Sequence, residues 1–150
     1  MHPDPRPAVL ADRQAIEEIV RQAYSPYIAR VGRHPGPMLD DYEGLIGTGG
    51  VYVLEQDGVI QGVLVLVPER DTMLLNNVAV APSVKGTGIG RRLLEYAERS
   101  AKAAGYRSIR LYTHETMIEN IALYSRIGYT ETHRAEEKGL KRVFMVKHLA

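Results

Sequence analysis

Apolar residues recur at helical spacing through residues 11–24, where Ala15, Ile16, Ile19, Val20 and Ala23 fall on one face, and this spacing predicts a first helix. Ser25-Pro26 ends it, because the proline ring pushes the preceding residue out of helical geometry, and a loop follows. Arg33-His-Pro-Gly-Pro37 is turn material, and residues 38–46 read as a short second helix before Gly47-Thr-Gly-Gly50. The period then changes from helical to alternating. Residues 51–56 and 59–67 are strands joined at Asp57-Gly58, a pair that tolerates the positive φ a two-residue hairpin turn demands, and Pro68 closes the second strand. Residues 73–80 form the next strand. An amphipathic helix spans 89–104, with Leu93, Leu94, Ala97 and Ala101 inward and Gly105 as its stop. Residues 108–113 alternate as a strand, 120–126 form a short helix, and 130–135 and 140–147 pair as a last hairpin turning at 137–139. The sum is an α/β chain of about seven strands and about four helices, mixing hairpins with two strand–helix–strand units. No linker or repeat divides residues 1–150, so one domain is expected.

Composition narrows the chemistry. With no cysteine, disulfides, thiolate catalysis and cysteine-bound metal are excluded, and no metal is expected. A net charge of +1 gives no electrostatic footprint for nucleic acid. Residues 1–7 lack the apolar core of a signal peptide, and no apolar run approaches the ~20 residues that span a bilayer, so a cytoplasmic protein without a membrane partner is expected.

The strand Val78-Ala79-Val80, Pro82 and the run Lys85-Gly86-Thr87-Gly88-Ile89-Gly90-Arg91 lead into the amphipathic helix. That order builds an anion cradle. Glycines admit a ligand close to the backbone, and the first N–H groups of the helix have no intrahelical partner. Spacing tells the known phosphate loops apart. A Walker A loop needs its second glycine five residues after Gly86, where Arg91 stands, with no Lys-Ser/Thr pair following. A dinucleotide fingerprint needs a glycine at Arg91, and an acid about twenty residues on, where Arg110 stands.

The pattern that remains is Arg/Gln-x-x-Gly-x-Gly/Ala. With lysine in its first position, residues 85–90 resemble the pyrophosphate loop of the GNAT N-acetyltransferase superfamily. Lysine keeps the charge and loses arginine's planar fork, so it acts as a point charge near phosphate. A second motif of that family is matched by Asn120-Ile-Ala-Leu-Tyr124-Ser-Arg-Ile-Gly128-Tyr129, and the resemblance covers essentially the whole chain. It implies a mixed, mostly antiparallel sheet with two neighbouring parallel strands splayed at the cofactor, and acetyl-CoA as co-substrate. Backbone amides of Lys85, Gly86, Thr87, Gly88, Ile89 and Gly90, extending to Arg91, would hold the pyrophosphate. Val78, Ala79 and Val80 would pair with the pantetheine arm, a main-chain donor near Val78 facing the thioester carbonyl. Asn120 and Tyr124, four residues apart on one helical face, would bond the cofactor and protonate its departing sulfur.

Acyl transfer also needs a neutral amine, and an alkylammonium with a pKa near ~10 must first lose a proton. Many members of the family carry a glutamate just before the Val-Ala-Val segment, where this chain has Leu75-Asn76-Asn77. Asn76 cannot act as a base but can hold a water or orient the amine. His114, Glu115, Asp41, Glu43 and a water chain are the alternatives. By resemblance the first two helices and their loop wall the acceptor site, which points to Tyr24, Tyr27, Arg30, Arg33, His34 and Met38, with Asn76 and His114 opposite. His2 and His148 are terminal and expected to be inert. A small-molecule amine is favoured over a protein lysine because no docking segment is evident. The competing reading is a non-catalytic acyl-CoA sensor or interaction module. Val143-Phe-Met-Val146 is apolar enough for a homodimer surface or for core.

Overall fold

The computed structural model describes residues 4–150, so His2 lies outside the described residues. Seven strands form one sheet, β1 (Arg6–Pro7), β2 (Val51–Gln56), β3 (Val59–Pro68), β4 (Met73–Val80), β5 (Ser108–His114), β6 (Thr130–Glu137) and β7 (Leu140–His148), in the order β1-β2-β3-β4-β5-β7-β6. Every neighbouring pair is antiparallel except β4 with β5. The helices are α1 (Arg13–Tyr24), the single turn α2 (Ile28–Val31), α3 (Tyr42–Gly47), α4 (Ile89–Ala103) and α5 (Ile118–Arg126).

Alternation along the strands splits the core in two. In β2 and β3, Val51, Val53, Val63 and Val65 pack toward α1 and α3 with Ile16, Ile19, Val20 and Tyr42, while Leu54, Leu64 and Leu66 face α4 and α5 with Ile89, Leu93, Leu94 and Tyr124. Bare backbone at Gly62 lets α4 press on the sheet, since a Cβ there would lie 2.8 Å from Leu93 Cδ1 and 3.1 Å from Ile89 Cγ2. The first hairpin turn runs as the sequence reads, with Asp57 and Gly58 both at positive φ, 53° and 79°. The second differs: Lys138 and Gly139 repeat the pair at 52° and 78°, so β6 runs through Glu137 and the turn is two residues long instead of spanning 137–139.

Three segments depart from the periodicity. The chain stays helical past Pro26, as a 3₁₀ turn at Ser25–Tyr27 that passes into α2, because proline is tolerated in the first turn of a new helical segment. The expected helix over 38–46 divides into a 3₁₀ turn at Gly36–Leu39 and α3. Between them Asp40 is extended, and the Asp41 side chain accepts the Gly44 N–H at 3.2 Å, fixing where α3 starts. Strand β1, two residues long, escapes any periodicity; Arg6 holds it in place through Asp12 at 2.9 Å and Glu55 at 3.0 Å. In β7, Val143 and Met145 belong to the core, whereas Phe144 and Val146 lie half-buried on the opposite face.

Candidate active site

Strands β4 and β5 pair at only two positions, Met73 with Ile109 and Leu74 with Arg110, and separate beyond them. Side-chain bonds hold the closed end. Thr72 Oγ1 donates to Ser108 O at 3.0 Å, and Ser108 Oγ donates to Thr72 Oγ1 at 2.8 Å. Past Leu74 the facing edges have no ladder partner, and a cleft of about 900 Å³, part of it open to solvent, fills the gap. Leu75, Asn76, Asn77 and Val78 line one side of it, and Leu111, Tyr112, Thr113 and His114 the other. Met117, Asn120 and Tyr124 come from the start and middle of α5, and Tyr24, Val31, Pro35, Gly36, Pro37 and Asp40 from the α1–α3 segment.

A β-bulge shapes the β4 wall. Val65 faces Asn77 and Leu66 faces Leu75, which leaves Asn76 as the extra residue. The insertion reverses the alternation. Met73 and Leu75 point to the α4 face before it, and Val78 and Val80 do so after it, so Asn77 and Ala79 turn toward α1. There Asn77, 2% exposed, is clasped by two tyrosines. Tyr42 donates its proton to Pro37 O, so its oxygen accepts from Asn77 Nδ2 at 3.0 Å, and Asn77 Oδ1 accepts from Tyr24 O–H at 2.6 Å. Val78 O lies 3.2 Å from the same Tyr24 oxygen. Every partner in this chain of bonds has one fixed role, and the 36–42 segment is thereby tied to β4.

At the open end lies the glycine loop. Gly86 and Gly88 take φ of +85° and +90°, and no heavy atom lies within 4 Å of a Cβ placed on either. The first bond inside α4 runs from Arg92 N–H to Gly88 O, so the amides before Arg92 have no acceptor within the helix. Lys85 is exposed beside them. Gly90 is closer packed, with Val80 Cγ2 3.5 Å from its Cβ direction.

The Tyr124 ring packs edge-on against Tyr129 at 5.8 Å, and among the described residues no protein group hydrogen-bonds its hydroxyl. Burial pushes its pKa up, so the phenol, already protonated at neutral pH, keeps its proton and can give it up only to a strongly basic acceptor such as a departing thiolate. Asn120 Nδ2 approaches Met117 Sδ at 3.9 Å, a weak contact that leaves its amide available. Burial pulls the His114 pKa down, with Glu115 opposing; its Nδ1 lies 2.8 Å from Thr116 Oγ1.

The structure brings Val78, Asn76, His114, Asn120 and Tyr124 into one cleft, with the Lys85-to-Arg91 loop at its mouth, beyond the lining residues. Tyr27, His34 and Met38 do not line it. Tyr27 sits under the Arg30 guanidinium at 5.2 Å, His34 is exposed, and Met38 packs against the α1 core and lines a second groove. The acids named from sequence are engaged elsewhere: Asp41 caps α3, Glu43 pairs with Arg13 at 2.9 Å, and Glu115 lies 3.9 Å from Arg134 and 4.0 Å from Lys141. Two residues that matter escaped sequence reasoning. Asn77 was hidden by the bulge, which no alternation rule shows, and Asp40 by the helix that 38–46 imitates.

The profile of the Acetyltransferase (GNAT) family matches residues 13–129 of this chain. The chain belongs to that family. Among GNAT proteins, it is 28% identical over 133 residues to the uncharacterized N-acetyltransferase YjgM of Escherichia coli (strain K12), covering 83% of this chain and 80% of that one. It is also 38% identical over 58 residues to N-alpha-acetyltransferase 80 of Mus musculus, a match spanning 39% of this chain and 17% of that protein's length. Two solved GNAT structures share the fold. The ribosomal-protein-S18-alanine N-acetyltransferase of Escherichia coli superposes with a TM-score of 0.79 at 19% identity, covering 100% of this chain and 95% of that one. PaiA N-acetyltransferase of Thermoplasma acidophilum, in complex with coenzyme A, does so at 0.78 and 19% identity, covering 97% and 98%. Family and relatives agree on N-acetyl transfer as the class of activity. No helix among the described residues is long and apolar enough to cross a membrane.

Proposed function

We propose that this GNAT chain transfers the acetyl group of acetyl-CoA to a primary amine of a small molecule, by direct attack with both substrates bound. The observation that carries the reading is the gap between β4 and β5, with the glycine loop and the α4 N-terminus at its mouth. The residues fit the donor. Open space at Gly86 and Gly88 admits a diphosphate against the backbone, and the amides of Gly88, Ile89, Gly90 and Arg91 have no acceptor of their own. Gly86 and the Lys85 side chain complete this binding loop; the expected Lys85 and Thr87 amides are instead taken up by Pro82 O at 3.3 Å and Val84 O at 3.2 Å, in the tight turns that shape it. Val78, Ala79 and Val80 offer main-chain groups to an amide-bearing arm, and a donor near Val78 would stabilise negative charge on a carbonyl oxygen. When bound, acetyl-CoA supplies an activated acyl group on a good leaving thiol.

The chain's own residues do the rest. Tyr124, a phenol protonated at neutral pH, gives the departing sulfur its proton, and Asn120 anchors the donor one helical turn away. Asn76 and His114 face the acceptor from opposite walls. A small acceptor is favoured because no docking segment for a protein is evident, and Pro35, Gly36, Pro37 and Asp40 line the cleft from the α1–α3 side. Tyr27, His34 and Met38 lie outside the lining and have no part in this assignment.

Isothermal titration with acetyl-CoA, followed by thiol release over a panel of amino acids, alkyl polyamines, amino sugars and a short peptide, tests the reading. Saturable binding with turnover of at least one small amine is expected. No binding to the wild-type chain would sink it. Asn76, where the family often has glutamate, motivates the sensor reading, which binding without turnover would favour.

A further inference from the structure

We propose that Asp40 is the base that takes the proton from the acceptor's ammonium group, with Asn76 as its positioning residue, an assignment that rests on the function proposed above. Among the described residues Asp40 is the one carboxylate lining the cleft. Its hydrogen-bond partner is Asn76 Nδ2, at 3.2 Å from Oδ2, and no cation pairs with it. The other nearby acids are occupied. Glu43 and Glu119 are taken up by Arg13 and Arg30, Glu115 lies between Arg134 and Lys141, and Asp41 caps α3. A carboxylate without a cation, facing a cleft that admits an amine, is where an ammonium group docks.

The extra residue of the β4 bulge is what makes the arrangement. Asn76 stands where no ladder partner holds it and reaches across to the 36–42 segment. The position that often carries an acid on this strand thus carries an amide that holds an acid contributed by a loop.

Asp40 also has a way out. It lines a second groove with Glu17, Val20, Arg21, Met38 and Tyr42. A proton taken from the cleft can therefore leave through this groove. The ionisable groups facing Asp40 are Tyr24 and Tyr42, Glu17 and Arg21 from α1, and His114 and Arg142 across the cleft. The two tyrosines are neutral, Arg21 is held by Glu18 and Arg142 by Glu137, so none neutralises it. Burial raises the Asp40 pKa and the Asn76 bond opposes the rise, bringing the carboxyl closer to the working pH of a base.

Atoms and charge balance over the step. The ammonium gives one proton to the Asp40 carboxylate, and the freed nitrogen lone pair forms the C–N bond as the C–S bond breaks. The sulfur takes the Tyr124 proton, and the second proton shed by nitrogen restores Tyr124. Asp40 then releases its proton to solvent, so one proton is produced per turnover.

The test compares wild type, Asp40→Asn, Asn76→Ala and His114→Gln with the best-used alkylamine of the panel and with a weakly basic arylamine that is neutral at pH 7. Asp40→Asn should lower kcat/KM for the alkylamine by about 10²- to 10³-fold. It should remove the limb along which the rate rises with pH, and spare the arylamine and acetyl-CoA binding by calorimetry. Asn76→Ala should move that limb to higher pH, because the bond it removes favours the ionised form. A readout independent of turnover is the carboxyl NMR titration of labelled aspartate, in which the signal missing from Asp40→Asn should titrate above the ordinary aspartate range. Wild-type rate and limb in Asp40→Asn, or loss of the limb in His114→Gln instead, would overturn Asp40. Failure of wild type to bind acetyl-CoA or to turn over any amine would instead remove the function on which it rests.

Discussion

Replacing Asn77 by aspartate exchanges one NH₂ for an oxygen at a site 2% exposed, and the hydrogen-bond roles around it determine the effect. Tyr24 donates to Oδ1, and Tyr42 has already committed its proton to Pro37 O, so the second atom of residue 77 must be a donor. A protonated aspartic acid meets that need, its O–H standing where Nδ2 stood. A carboxylate does not. Burial to this degree raises a carboxyl pKa by about 3 units, and donation from Tyr24 to the ionised form lowers it by about 1, a net rise of about 2 units or roughly 2.7 kcal/mol. The folded pKa then lies above the unfolded value of about 3.9, so the variant's stability is fullest below that pH. It falls as pH rises through the folded pKa near ~6 and is flat above it. Urea denaturation of Asn77→Asp and wild type at pH 4, 5, 6 and 7 should therefore give a difference that grows by roughly 2.7 kcal/mol over this range, about 8 °C in Tm for a chain this long. Asn77→Leu, which loses the same bonds without a charge, should cost about 1–2 kcal/mol at every pH. A difference for Asn77→Asp that stays constant from pH 4 to 7 would refute the directional reading of the tyrosine clasp.

Gly88→Val should cost about 1–2 kcal/mol through its φ of +90° and weaken acetyl-CoA binding at least tenfold by calorimetry; since nothing within the protein clashes with a Cβ there, unchanged affinity would mean the ligand keeps clear of this loop. Tyr124→Phe should lower kcat by 10- to 100-fold while leaving acetyl-CoA affinity within about twofold, and equal turnover would reduce Tyr124 to packing. Asp12, held below the usual carboxylate range first by Arg6 and then by the Val9 N–H, should stabilise the fold at neutral pH and lose that contribution as pH falls through its lowered folded pKa. Asp12→Asn should accordingly cost about 1–2 kcal/mol at pH 7 and progressively less in acid, measured by denaturant melts.

Elements whose periodicity is carried by many residues were legible from the sequence. The β2–β3 hairpin, α1 and α4 follow their apolar spacing almost to the residue, because burial on one face decides each of them. The glycine loop was legible too, since its backbone conformation demands those residue types. The features that the pattern concealed depend on single local bonds. The Asp41 cap interrupts a segment whose spacing looks helical throughout, and so frees Asp40 to face the cleft. The bulge at Asn76 reverses the inside and outside of β4 from Asn77 onward, and no count of alternating residues contains it. Tyr27, His34 and Met38 were drawn toward the acceptor site by their place in the chain, whereas Tyr27 stacks against Arg30 of α2 and the 3₁₀ turn at 36–39 packs Met38 against the α1 core.

The parting of β4 from β5 also divides the molecule mechanically. One leaf contains β1 to β4 with α1 on one face; the other contains β5, β7 and β6; their direct ladder is two residue pairs beside Thr72 and Ser108. Core contacts of α4 bridge the leaves, so their closed end is fixed while the backbone edges past Leu74 face an open slot. A ligand carrying amides along its length would satisfy donors and acceptors on both edges and act as a removable strand. Exchange of the amides of residues 75–80 and 111–114 that face the slot, rather than β3 or β7, would then serve as an occupancy gauge, fast in the empty protein and slowed on filling, with the rest of the sheet unchanged.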